Sequence, residues 1–287
     1  MSSLIVQKNL NAATSMLNKS IERMTTGYKI NHAADNAAGY SIATTWKTQL
    51  GSLDVASDNA STGADMLTTL EDTYSLITSH LQRVRDLTEQ AANGTYGSDS
   101  LKAIQSEITA RLEEIDRIAA NCEFNGLNMM DGSLTDDINL QVGLYSDAAS
   151  RIALDASLFQ NGHVSALFKT FGGVGGATVA EVAKLCSGYD GKQITGGQNE
   201  MLNKIDAVIS EISARTTTLG AAQNRIESAV ESINVQSENI TSSLSTLRDA
   251  DVAEESSNYI KAQILQQASA TLLATANQTP SIALNLL

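Results

Sequence analysis

IESAVESINVQSENITSSLSTL, residues 226–247, places Ile226, Val230, Ile233, Ser237, Ile240, Leu244 and Leu247 at alternating steps of four and three. Side chains at that spacing share one face of an α-helix, and so narrow an apolar stripe suits contact with one or two partner helices. Upstream, Ile205, Val208, Ile212 and Leu219 continue the face, with no Pro to interrupt it. The spacing predicts a single helix over residues 198–247, about 75 Å long at about 1.5 Å per residue. Gly220, inside it, is expected to mark a close approach or a bend.

The N-terminal half carries matching stripes. Met66, Leu70, Thr73, Ile77, Leu81 and Val84 form one, and Leu101, Ile104, Ile108, Leu112, Ile115 and Ile118 form another. Between them NGTYGSD at 93–99 has turn chemistry, with Ser98 or Asp99 placed to cap the next helix. Helices this long satisfy their stripes by lying side by side, so a mainly α, antiparallel helical coiled-coil rod is expected. Ile138, Leu140 and Val142 alternate with polar residues, as do Ile152 and Leu154 beyond the turn GLYSDAAS, and this predicts a β-hairpin. Residues 159–197 are Gly-rich at both ends, with a short helix expected at 178–187, and read as an insertion joining the two halves.

Composition narrows the function. The 287 residues include 4% aromatics and a single Pro, and the net charge is −13. Nucleic-acid binders need clustered Lys and Arg, so no nucleic-acid partner is expected. No run of 18 apolar residues exists, so no membrane insertion is expected. The opening SSLIVQKNLN lacks the basic and apolar regions of a secretory signal. Cys122 and Cys186 are too far apart in sequence to suggest a disulfide framework or a zinc site.

The two ends differ from the middle. Leu10, Thr14, Leu17, Ile21 and Met24 form a thin stripe in the first segment; Leu265, Ala268, Leu272 and Ala276 form another in KAQILQQASATLLATANQTPSIALNLL, residues 261–287. Their flanks carry uncharged amides and hydroxyls, whereas a helix facing water normally carries charge. Such surfaces suit burial among similar helices, which only other copies of the chain can supply. Ordering costs about 1–2 kcal/mol per residue of backbone, so both ends are expected to order only in a polymer. The self-assembly residues are expected to be Leu10, Leu17, Ile21, Met24, Ile264, Leu265, Leu272, Leu273 and Leu286.

LNKSIERMTTGYKINHAADNAAGYSIATTW near the start resembles the opening of bacterial flagellins. LQRVRDLTEQAANGT, IQSEITARLEEIDRIAANCEFNG and INLQVG continue the resemblance in family order, and LGAAQNRIES, LRDADVAEESSNYIKAQILQQAS and ATANQTPSIALNLL complete it. The resemblance implies a structural subunit of the extracellular flagellar filament, not an enzyme, whose terminal helices pair as an inner coiled-coil layer. It implies export unfolded, without a cleaved signal, and partners in the export apparatus, an export chaperone, the filament cap and the hook-junction proteins. It divides the chain into 1–44 (N-terminal inner-core helix and spoke), 45–158 (rod helices and hairpin), 159–197 (short variable insertion), 198–247 (C-terminal rod helix) and 248–287 (C-terminal inner-core helix). It marks Arg83, Leu87 and Glu107 as matching the surface that the Toll-like flagellin receptor recognises, a face whose first role is packing between subunits. O-linked sugar, if present, would be sought at Ser165, Thr170 or Thr178. Free thiols are expected, since a disulfide would impede export; Cys122 reads as a small buried hydrophobe.

No catalytic constellation competes with this reading. FGGVGGA at 171–177 lacks the Gly-Lys-Ser/Thr of a phosphate loop and reads as a flexible joint. His32, His80 and His163 are dispersed and none begins an HExxH pair, so neither a metal nor a cofactor is expected. Glu113, Glu114, Asp116 and Arg117 read as a solvated, ion-paired helix face, and Trp46 as a packing plug. Two alternatives stay open: a hook–filament junction protein, and a secreted monomeric ligand or adhesin.

Overall fold

A computed structural model describes residues 2–169, 178–189 and 198–284. Three helices come first: α1 (Ser2–Thr26), α2 (Ala37–Ala92) and α3 (Ser98–Ala120). Four short strands follow, β1 (Glu123–Phe124), β2 (Leu127–Asn128), β3 (Ile138–Gln141) and β4 (Arg151–Leu154). Then come α4 (Val164–Leu167), α5 (Val179–Ser187), α6 (Gln198–Arg248) and α7 (Val252–Leu284). The architecture is the expected one: mainly α, with long antiparallel helices, a β-hairpin and paired terminal helices. The chain divides into two compact units, one of residues 1–52 and 235–287, the other of residues 53–234.

The larger unit has a dry seam. Leu67, Leu70, Ile77 and Leu81 of α2, Ile108, Leu112 and Ile115 of α3, and Ile205 and Val208 of α6 are at most 0% exposed. Arg85 of α2 pairs with Asp206 of α6, and Glu71 accepts from Gln223 Nε2 at 2.9 Å. Descending α2 thus means ascending α6, so the two run antiparallel. The expected stripes are correct except at Thr73. The neighbouring Tyr74 fills that place, 1% exposed, because its hydroxyl donates to the Leu158 carbonyl at 2.9 Å. An aromatic of that size wins the core position once its one polar atom has a partner.

Ile138 faces Leu154 and Leu140 faces Ile152 in the β3–β4 hairpin. Asn59 of α2 donates to the Gln141 carbonyl at 3.1 Å, and Gly63 leaves space that Leu140 occupies. A second hairpin, β1–β2, was not expected from the pattern; its strands are too short to alternate. Three local expectations need correction. Gly97, not Ser98 or Asp99, caps α3, and no side chain accepts there. Gly220 has open space around it within an unbroken α6 and marks no close approach. Asp116 is more than a solvated pairing residue: its Oδ1 accepts from Val164 N at 2.7 Å and lies 3.3 Å from His163 Nδ1, holding the start of α4.

The insertion contributes to the core. Thr178 and Glu181 form a reciprocal capping box at the start of α5, which packs on α3 and buries Val182, Ala183 and Cys186. Both thiols are free and buried. Desolvation pushes Cys186 up to about 12 and also raises Cys122, whose Sγ lies 3.4 Å from Thr73 Oγ1. The proposed joint at 171–177 and Thr170 lie outside the described residues.

Candidate functional site

The smaller unit is organised by α1 against α7. Inward positions on α1 are Val6, Leu10, Ala13, Leu17 and Ser20; on α7 they are Glu255, Tyr259, Ala262, Gln266, Ser269, Leu273 and Ala276. Both sets step by four and three, the spacing that keeps one side of a helix on its partner. The pair is antiparallel: Arg23 Nη1 meets Glu255 Oε1 at 2.7 Å, and Gln266 Nε2 donates to Thr14 Oγ1 at 3.2 Å.

Apart from Glu255, which pairs with Arg23, small residues occupy the most buried points of this seam. Ala13, Ser20, Ala262 and Ser269 are each under 10% exposed. Small side chains let backbones approach but remove little apolar area from water. The large aliphatic residues instead face out: Leu4 is 70% exposed, Ile5 62%, Met16 56%, Ile264 59% and Leu272 58%.

The sequence-based site residues therefore separate. Leu10, Leu17 and Leu273 lie half-buried in the α1–α7 seam. Ile21, Met24, Ile264, Leu265 and Leu272 are exposed. Leu286 lies outside the described residues. Of the α7 stripe read as Leu265, Ala268, Leu272 and Ala276, the first three sit one position from the observed seam at Gln266, Ser269 and Leu273, and Ala276 lies in it. The apolar spacing thus picked out three seam residues together with five that face outward, because large aliphatics lie on both sides of the pair. Leu4, Ile5, Met16, Val252 and Ile260 are further exposed aliphatics outside the sequence-based set; Asp251 precedes Val252 and Lys261 follows Ile260, so no uncharged flank marked these two.

The ends expected to order only in a polymer are helical in this single chain and rest on each other. The linkers out of α1 and into α7 are stitched together. Gly27, at φ +75°, ends α1; its carbonyl accepts from Ala250 N at 2.8 Å, and Lys29 N donates to the Arg248 carbonyl at 2.7 Å. The Arg248 guanidinium lies 4.2 Å from the Tyr28 ring centroid. Asp35 Oδ1 meets Lys19 Nζ at 2.7 Å and Oδ2 accepts from the Asn31 and His32 amides. The Lys19 contact, the His32 amide and then the Asn31 amide hold its carboxyl at about 2. Trp46 is half-buried on the wall of an open cavity of about 770 Å³, beside Ile30 and Asp35, and does not plug it.

In the larger unit, Arg83 Nη2 meets Glu107 Oε1 at 2.9 Å on an exposed α2–α3 face. Leu87 is 2% exposed and lies beneath that face, not on it.

Comparison with known proteins follows the same division. The family model for the bacterial flagellin N-terminal helical region matches residues 1–135, and that for the bacterial flagellin C-terminal helical region matches residues 202–287. Bacillus subtilis flagellin is 33% identical over 296 residues, covering 97% of this chain and 95% of that protein. The flagellar filament 33 kDa core protein of Treponema phagedenis is 31% identical over 296 residues, covering 100% of this chain and 98% of that protein. A solved structure of a putative flagellar hook-associated protein from Vibrio parahaemolyticus matches with TM-score 0.63 at 12% identity, over 75% of this chain and 100% of that one. Likeness at that identity shows a shared fold alone. With both helical regions matched by flagellin family models and with sequence relatives along its full length, this chain belongs to the bacterial flagellins, the family of flagellar filament subunits.

Proposed function

We propose that this flagellin polymerises through the outward aliphatic side chains of α1 and α7. The observation that carries the reading is the set of large aliphatic side chains that the terminal pair leaves exposed, Leu4, Ile5, Met16, Ile264 and Leu272, while small Ala13, Ser20, Ala262 and Ser269 are buried within it. Apolar surface left wet by one chain is removed from water when equivalent helices of other copies close over it. Leu10, Leu17 and Leu273 hold the pair together, and Ile21, Met24, Ile264, Leu265 and Leu272 meet neighbours; Leu286 extends that set. The division into inner-core, rod and insertion segments stands as the functional map. The short insertion makes a thin, comparatively smooth filament.

The finer partnerships follow the family: passage through the export apparatus without a cleaved signal, a chaperone, the cap and the hook-junction proteins. The exposed Arg83–Glu107 pair favours a secondary surface for subunit packing and for the Toll-like receptor, supported from below by Leu87. The work is mechanical and not enzymatic.

Deletion of residues 261–287, followed by electron microscopy of purified protein seeded with filament fragments, tests the reading. Loss of filament growth with an intact larger unit supports it. Growth to micrometre lengths without that segment overturns it.

A further inference from the structure

The sequence holds three Asn–Gly pairs, Asn93–Gly94, Asn125–Gly126 and Asn161–Gly162. In such a pair the glycine lacks the Cβ that would otherwise hinder its nitrogen from attacking the preceding side chain. The nitrogen bonds to the Asn Cγ, and the side-chain nitrogen departs as ammonia, leaving a five-membered succinimide. A solvent water then opens the ring. Attack at the former side-chain carbonyl gives Asp, and attack at the backbone carbonyl gives isoaspartate. Every Asn–Gly pair can follow this course when unfolded, so the fold decides which of the three does.

Asn161–Gly162 is held shut. Asn161 Nδ2 donates to the Asp131 carbonyl at 3.1 Å, and its Oδ1 accepts from His163 N at 2.8 Å. The attacking group is also engaged, because Gly162 N donates to the Met130 carbonyl at 2.9 Å. Gly162 is buried, with Met130 and Ala119 packed where a Cβ would lie.

Asn125–Gly126 is restrained differently. Both residues have positive φ, +50° and +82°, as the two-residue turn between β1 and β2 requires. Phe124 and Leu127 pair across the turn. Swinging the Gly126 nitrogen toward the Asn125 side chain means breaking that pairing.

Asn93–Gly94 is held more loosely: Asn93 N donates to the Gln90 carbonyl at 3.2 Å and its carbonyl accepts from Tyr96 N at 3.4 Å, but no strand pairing spans the turn. It follows the end of α2, and both residues are exposed. Nothing lies within 4 Å of the place where a Gly94 Cβ would stand. Among the described residues Gly94 N has no acceptor. Thr95 N donates to Asn93 Oδ1 at 3.3 Å. Asn161 makes the same contact with His163 N, so what separates the two sites is that Asn161 Nδ2 and Gly162 N are both engaged while, among the described residues, Gly94 N is not.

We propose that Asn93 is this chain's site of spontaneous deamidation, with Gly94 supplying the attacking nitrogen. The product puts a carboxylate, or an isoaspartyl linkage with one extra backbone carbon, into the turn between α2 and α3. The added charge falls in the turn that leads to α3, whose first turn already carries Asp99. A subunit that stays outside the cell keeps this change, so its extent records the age of the subunit.

The test incubates the purified full-length folded chain in mildly alkaline buffer and follows all three sites by peptide mass spectrometry. Amide-to-acid conversion is scored at each, and isoaspartate is confirmed by enzymatic methylation. Asn93 converts several-fold faster than Asn125 or Asn161, and in denaturant the three rates converge. Gly94→Ala, whose methyl group enters open space, slows Asn93 several-fold and leaves the other two unchanged. Conversion of Asn125 or Asn161 as fast as Asn93 in the folded chain overturns the proposal, as does an Asn93 rate that Gly94→Ala leaves untouched.

Discussion

Two seams in this molecule share one spacing and differ in what fills it. In the larger unit, positions alternating by four and three hold Leu70, Ile77, Leu81 and Val84, all 0% exposed. In the terminal pair the same alternation holds Ala13, Ser20, Ala262 and Ser269 among its most buried points. Burying a Leu or Ile side chain contributes about 1.5–3 kcal/mol, while an Ala or Ser contributes far less. Period sets which residues face a partner; side-chain volume sets whether that contact stands alone. The larger unit buries its large side chains within itself, whereas the terminal pair half-buries Leu10, Leu17 and Leu273 and leaves Leu4, Ile5, Met16, Ile264 and Leu272 exposed.

The strongest way to break this comparison is to place the same kind of truncation in each seam. Leu112→Ala empties a fully buried position and is expected to lower the stability of the larger unit by about 2–5 kcal/mol, measured by denaturant unfolding. Ile264→Ala removes an outward side chain and should change monomer stability by no more than about 0.5 kcal/mol. Equal costs at the two positions contradict the distinction. Replacing Ile264 with Asp sharpens it further. Circular dichroism should stay native while sedimentation shows loss of the polymer, because a charge would be buried among copies.

Gly63→Ala probes the larger unit more gently. The added methyl runs into Leu140, and the hairpin must shift, at an expected cost of about 1–3 kcal/mol seen in thermal unfolding. Acid probes the smaller unit. Asp35 is held at about 2, below its ordinary 3.8, so its contribution is complete above pH 3.8 and is lost as pH falls through about 2. An Asp35→Asn chain should lose that acid-sensitive step in a pH titration of folding, and should be less stable than the parent at neutral pH. The smallest effect is chemical. Cys186, pushed up to about 12, should resist alkylation at neutral pH in the folded chain and react promptly once denatured. Rapid native labelling would show that α5 does not stay docked.

Much of this was legible in residue order. The stripe Ile226, Val230, Ile233, Ser237, Ile240, Leu244 and Leu247 is the inward face of α6, position by position, though exposure rises toward its end. The α3 stripe is likewise buried throughout. Periodicity succeeds there because the apolar residues are both periodic and large. It erred by one residue at Thr73 and Tyr74, where a hydroxyl partner 84 residues away decides the outcome. It erred again along α7, where the pairing prefers Gln266 and Ser269 to the more apolar Leu265 and Leu272. Hydropathy ranks a residue's wish to leave water; it does not say which neighbour takes it in.

The amino-acid sequence alone determined the helical class, the β3–β4 hairpin, the family and the unusual uncharged ends, because period, turn chemistry and composition are local properties of a chain. Only the tertiary structure decided that α5 belongs to the core, that Leu87 lies beneath its surface and that Ala13, Ser20, Ala262 and Ser269 are the buried small residues of the terminal seam. Those outcomes depend on volume and hydrogen-bond partners brought together from distant positions, which no local pattern contains.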